Sequence, residues 1–256
     1  MRTALALLTP LALAPACSPV PGECGVSKDE PHVVVLNRLA LGREVDGQSM
    51  GFDLDGQVTT EGGADGCGIG DYQGFDGRAG VDNALARLIP VLELTEAVAL
   101  EDLAQLAVNQ GELLVMVQLD HLADTSHDAC VDLTLFRGEG VPTIGTYGVI
   151  EPGQTFDVDP SVGVSRAGGL VLQDGVLEAT GLTLEVVLRL FDVELITTLT
   201  DVALHLELRD DGDVWGYLGG GLLYQDIVDM ARDSNIDASL VELLPTLLGG
   251  AADMDP

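Results

Sequence analysis

The strongest signal along the chain is alternation. Leu182, Leu184, Val186, Leu188 and Leu190 fall on one side of an extended segment, with Thr183, Glu185 and Arg189 on the other. Val202, Leu204, Leu206 and Leu208 repeat the pattern against His205, Glu207 and Arg209. Period-two patterning of this kind predicts antiparallel strands with one dry and one wet face. Leu113 to Asp120 and Val131 to Leu135 carry the same alternation, and the β-branched run His32 to Leu41 reads as a further strand. Asp210-Asp211-Gly212-Asp213 is a hairpin turn leading into Val214 to Leu218.

The period changes elsewhere. Asp82 or Asn83 caps a predicted helix over Ala84 to Glu93, which Pro90 limits or kinks. Thr95 caps a second, Glu96 to Asn109, with Leu100, Leu103 and Ala107 on its apolar face. Two more helices are expected near the end, Tyr224 to Asp233 and Asp237 to Leu248, the latter stopped by Gly249-Gly250. Residues 138–166 read as loop with short extended pieces. The architecture this predicts is α+β: an antiparallel sheet whose apolar face is covered by a few short helices, with a long acidic Gly-rich loop over residues 42–82. No period of 20 to 50 residues recurs, which argues against a solenoid or propeller.

The first 16 residues hold Arg2 and an apolar run from Ala4 to Leu13, the pattern of a secretory signal too short to remain as a membrane span. They end Leu13-Ala14-Pro15-Ala16-Cys17, which resembles a bacterial lipobox. That resemblance implies lipid on Cys17, an anchor in the membrane, and a location at the bacterial outer membrane or cell surface, or in the periplasm. Ala14-Pro15-Ala16 is also an ordinary A-x-A cleavage site, and either reading exports the protein. The organisation expected is a signal peptide at 1–16, a lipidated tether at 17–31, a single domain at 32–248 and a flexible tail at 249–256. With Cys17 acylated, Cys24, Cys67 and Cys130 remain. One disulfide is then plausible in an oxidising compartment. Cys67–Cys130 is the first choice, because Cys67 lies in a loop that needs a staple and Cys130 begins a strand. Cys24–Cys67 is the alternative. No cysteine or histidine spacing suggests zinc.

Charge narrows the partners. Across 256 residues there are 42 Asp and Glu against 11 Lys and Arg, a net charge of −31. Nucleic acid and anionic membrane surfaces are excluded as electrostatic partners. With 46% hydrophobic residues the chain is nonetheless a folding one. Its acids concentrate in loops around 44–82, 120–132, 151–159 and 210–213.

The densest chemistry lies in Phe52-Asp53-Leu54-Asp55-Gly56, Asp71, and Asp76-Gly77 through Asp82-Asn83. Clustered carboxylates, an Asn amide and flexible glycines are what a calcium ion requires. Asp53, Asp55, Asp71, Asp76, Asp82 and Asn83 are therefore the candidate ligands. A standard EF-hand is absent, since no Glu closes the series. The run FDLDG, then DG and GVDN before a helix, resembles a compact segment of uncharacterised exported lipoproteins of the myxobacterial type. The similarity extends loosely over residues 45–233, with 57–75 as an insertion. It implies a surface or periplasmic lipoprotein with no assigned activity and supplies no catalytic residues.

Other constellations carry less. Asp120, His121, Asp124, His127 and Asp128 crowd one connection and read as a polar turn. Gly219-Gly220-Gly221 lacks the Lys-Ser/Thr of a phosphate loop. His205 falls on a wet strand face, and Trp215 reads as a packing anchor. The function expected is a non-catalytic exported protein with a calcium-ordered loop. The alternatives are a binding protein for an apolar, lipid-like ligand, and a metal-dependent hydrolase.

Overall fold

The period-two stretches do become strands: β1 His32–Val35, β2 Val115–Asp120, β3 His127–Glu139, β4 Asp157–Val158, β5 Ser165–Gln173, β6 Val176–Leu190, β7 Val193–Leu208 and β8 Val214–Gly221. The helices are α1 Ala84–Glu93, α2 Leu100–Gln110, α3 Tyr224–Asp233 and α4 Ala238–Gly249. The computed structural model describes residues 24–25, 30–63, 68–93, 100–190, 193–233 and 238–252. Its strands form one sheet in the order β1-β2-β3-β5-β6-β7-β8, with β4 beside β3 and every pairing antiparallel. The fold is α+β.

Alternation decides what goes inside. Leu133 and Leu135 of β3, Leu182 and Leu184 of β6 and Val202 and Leu204 of β7 are buried in one cluster, which Val108 of α2 joins. Cross-strand pairs such as Leu177–Leu206 and Leu182–Val202 place apolar side chains opposite one another. The ladder is not regular. Register shifts between Ala179 and Leu184 on β6, and between Thr200 and Ala203 against β8, bend the long hairpin. Gly181 and Asp201 take positive φ, 70° and 49°, at these irregularities. Ala203 points to the opposite face from Val202 and Leu204, yet it too is buried. The outer face is therefore covered locally, and the cover is the acidic loop.

Three departures from the sequence reading have physical causes. First, β5 escapes the alternation rule because Gly168-Gly169 interrupts it and the β3–β5 ladder shifts register around Val131. Second, α2 is rotated. Leu103 and Leu106 are exposed, while Val108 is fully buried. The rotation is set by polar stitches to the chain after β1. Gln105 accepts the Leu39 N–H and donates to the Asn37 carbonyl, and Glu101 accepts from Leu41 and Arg43. Arg43 also reaches Glu93 at the end of α1, so one guanidinium joins the two helices. Third, β1 stops at Val35, after which the chain turns to these helix contacts.

The disulfide also differs. Cys130 is bonded to Cys24, with Cα atoms 5.6 Å apart and a separation of 106 positions in sequence. Asp132, two residues along β3, accepts the Cys24 N–H at 3.1 Å and seats that residue beside the strand. The expected Cys67–Cys130 bridge is therefore corrected, since Cys130 is already spent. The loop that was thought to need a staple is held by backbone pairs instead, Phe52 with Asp82 and Tyr72 with Val81. Cys67 lies outside the described residues, as do Cys17, the signal segment and the last four residues of the tail.

Two measurements check this picture. In denaturant melts, Val108→Ala costs about 2 kcal/mol, whereas Leu106→Ala changes stability by less than about 0.5 kcal/mol. The face expected from the sequence, Leu100, Leu103 and Ala107, includes neither residue and does not predict this contrast. Replacing Cys24 and Cys130 together by Ala frees a loop of roughly 100 residues and costs about 4 kcal/mol.

Candidate metal centre

The acidic loop is built around Phe52. Its ring lies over Gly219 of β8, where a side-chain carbon would come within 2.9 Å of it, and its centroid is 4.8 Å from that of Tyr217. With Phe52 fixed, the Asp82 N–H donates to the Phe52 carbonyl at 2.8 Å, bringing residue 82 alongside residues 52–55. Gly56, at φ 74°, turns the chain away. It returns through Asp71, whose N–H donates to the Thr59 carbonyl, and through the Tyr72–Val81 bridge. The presumed insertion at 57–75 is thus an excursion between two ends that meet.

Where they meet, three carboxylates converge. Asp53, Asp55 and Asp82 each offer an oxygen within 4.8 Å of the others. One oxygen of each accepts a backbone N–H: Asp53 from Gly56 at 2.7 Å, Asp55 from Gln57 at 2.8 Å, Asp82 from Leu54 at 2.6 Å. Asp82 is 8% exposed and its Oδ1 is enclosed. Calcium bonds to oxygen at about 2.4 Å, so two oxygens on one ion stand no more than about 4.8 Å apart. The all-oxygen donor set and its spacing therefore fit a hard divalent cation.

Asp71 borders this group. Burial pushes its carboxyl above the usual range, the Thr59 N–H opposes that, and the charges of Asp55 and Asp53 push it further up. The loop thus carries negative charge that its own residues do not fully compensate.

Two predicted ligands have other work. Asp76 accepts the Arg78 N–H and pairs with its guanidinium at 2.5 Å in the Gly74–Arg78 turn, which holds its carboxyl below the usual range. Asn83 is the cap of α1: its Oδ1 accepts the Ala86 N–H, and its Nδ2 donates to Ser49 Oγ, the Met50 carbonyl and the Gly42 carbonyl. It locks the entrance to the site rather than pointing into it.

Sequence reasoning missed the supports. Arg78 donates to the Tyr217 hydroxyl at 2.7 Å, across 139 residues of chain. His205 stacks on Tyr217 with centroids 4.7 Å apart and lies between Glu178 and Glu207. Its side chain is 14% exposed, so the expected wet position is largely covered. No local pattern announces these contacts, because each joins segments far apart in sequence.

The cluster near Asp120 is indeed turn chemistry. Asp124 accepts the Ser126 N–H, Asp128 accepts those of Ala123 and Cys130, and both carboxyls are held low by these bonds. His121 faces Asp132 and His127 faces Asp174. Two surface clefts of about 430 and 410 Å³ are lined by mixed polar and apolar residues, one by Glu185, Thr197 and Asp226, the other by Phe52, Asp53 and Arg78.

No protein-family model matches the chain, and no curated protein or solved structure matches it.

Two substitutions test the loop itself. Asn83→Ala removes a helix cap and strands its partners, lowering stability by about 2 kcal/mol with or without added cation. Asp71 has a folded pKa above its unfolded value, so its ionisation lowers stability as pH rises past about 3.8. Asp71→Asn is therefore expected to raise the melting temperature at pH 7 in the presence of chelator, and a lower melting temperature would contradict this.

Proposed function

We propose that this protein is a non-catalytic exported protein, anchored to a bacterial outer membrane through lipid on Cys17, whose 42–83 segment is set in place by calcium. The observation that carries the reading is the convergence of Asp53, Asp55 and Asp82 within 4.8 Å, one of them buried. Like charges held that close repel, and a divalent ion would remove the cost. What the ion supplies is neutralisation of this charge. The residues of the chain do the rest: Phe52 positions the strand, Asp82 orients Leu54 and Asp55 through their N–H groups, and Asn83 fixes the start of α1.

A binding or scaffolding role is favoured over hydrolysis by the state of the other candidate acids and bases. The carboxylates of Asp124 and Asp128 accept backbone N–H groups of the β2–β3 connection. His205 is wedged between carboxylates and a tyrosine ring.

Thermal melts in chelator and in millimolar calcium test the site. Occupancy at 100 times the dissociation constant stabilises by about 2.7 kcal/mol, so the melting temperature is expected to rise by several degrees. Asp82→Asn keeps an acceptor for Leu54 but loses the charge, and its melting temperature should not respond to calcium. A wild-type melt that is flat across millimolar calcium removes the site. Intact-mass analysis after export tests the anchor: a diacyl or triacyl increment on Cys17, absent from Cys17→Ser, is the expected result.

A further inference from the structure

The sheet has two edges, and they are unlike. β1 is four residues long, which is itself a protection. β8, Val-Trp-Gly-Tyr-Leu-Gly-Gly-Gly, is eight residues long and contains no charged residue and no proline. Among the described residues β8 is the last strand of the sheet, pairs only with β7, and takes part in no isolated bridge. Its Trp215, Gly216 and Leu218 are exposed, the first and last at 38% and 36%. A row of backbone donors and acceptors without charge or proline, regular from Val214 to Gly219 and shifted in register only towards Gly221, is a template for another strand.

The charges around the edge state what kind of strand fits. Asp210, Asp211 and Asp213 stand immediately before β8, and Asp226 and Asp229 follow it on α3. The strand is neutral between two acidic ends. We infer that β8 receives an extended peptide segment of a partner protein, with a β-branched or apolar middle and Lys or Arg at both flanks, added antiparallel as a ninth strand. A second copy of this chain fits poorly: antiparallel pairing would set the Asp210–Asp213 turn of one copy against the α3 carboxylates of the other, between two chains each at −31.

Trp215 is the only tryptophan and lies on the strand in question, so its fluorescence reports occupancy. The test uses the full chain with its disulfide intact and a synthetic peptide of alternating Val and Thr with two Lys at each end. Saturable change in Trp215 emission is expected, weakened about tenfold or more in 0.5 M salt, where screening shortens to a few ångströms. The same peptide N-methylated at alternate residues presents no edge and should lose binding. Leu218→Lys places a cation on the edge opposite Leu204, so its affinity is read at a temperature where its own melt shows it folded, and binding should weaken at least about tenfold. Equal response to the N-methylated peptide overturns the inference, because side-chain adhesion would then explain the signal. Equal affinity for a peptide flanked by Glu overturns the charge argument. Concentration-dependent dimerisation that excludes the peptide would assign the edge to a second copy instead. The titration is run both in chelator and in calcium, while melts without peptide report the metal site alone, so failure here and failure of the proposed metal site are separate results.

Discussion

The ring of Phe52, seated over Gly219 and against Tyr217, holds a strongly acidic loop onto the sheet. Charge cannot do this. The loop is negative, and Glu178 and Glu207 on the sheet beneath it are negative as well. An apolar contact has to supply the attraction, and it needs a strand position without a side chain to make room. Once the ring is placed, the Phe52–Asp82 backbone pair follows, then the meeting of Asp82 with Asp53 and Asp55, then the start of α1 at Asn83. Arg78 adds a cationic contact, reaching the Tyr217 hydroxyl from the turn it shares with Asp76.

Much of the fold could be read from the sequence because its long strands obey a rule with a physical origin. Leu182, Leu184, Val202 and Leu204 alternate since one face of β6 and β7 is dry. Where the rule is interrupted the reading fails for reasons visible in the same residues. Gly168-Gly169 hides β5, and hydrogen bonds donated by Leu39 and Leu41 to Gln105 and Glu101 rotate α2 away from the face its leucines suggest. The site was legible by halves. The Asp-x-Asp pair and the later Asp82 were recognisable as candidate oxygen donors, and their carboxylates do meet. Asp76 and Asn83 have the same chemistry, but Arg78 and the N–H of Ala86 engage them. Composition marks a carboxylate or amide as available, whereas only the neighbouring groups determine its use. The pairing of Cys130 turned on Asp132 drawing in Cys24, a contact spanning 108 residues.

The acid excess also has an internal use. Asp53, Asp55, Asp124, Asp128 and Asp159 each accept a backbone N–H within a few residues, so carboxylates serve as short-range clasps for turns that lack regular structure. Asp159 in addition accepts from the Ser161 hydroxyl and faces Arg137. For Asp76, Asp124, Asp128 and Asp159 these bonds hold the carboxyl below its ordinary range. Their contribution is present above the unfolded pKa and fades as pH falls through the lower folded value. Asp71 runs the other way, since its neutral form is the one the fold prefers. A chain with so many acids therefore gains from ionisation in its turns and loses by it in one crowded corner.

The Cys24–Cys130 bond has a mechanical consequence. Cys24 is covalently part of the sheet, so the chain ahead of it, and not the whole stretch to residue 31, sets the leash of the domain. From Cys17 to Cys24 is seven residues (24 − 17), whose full extension is about 25 Å. Under a lipid anchor at Cys17, the body of the protein would sweep a shell scarcely deeper than its own width. Residues near β3 would stay close to the bilayer, and any partner would have to come to the membrane to be met.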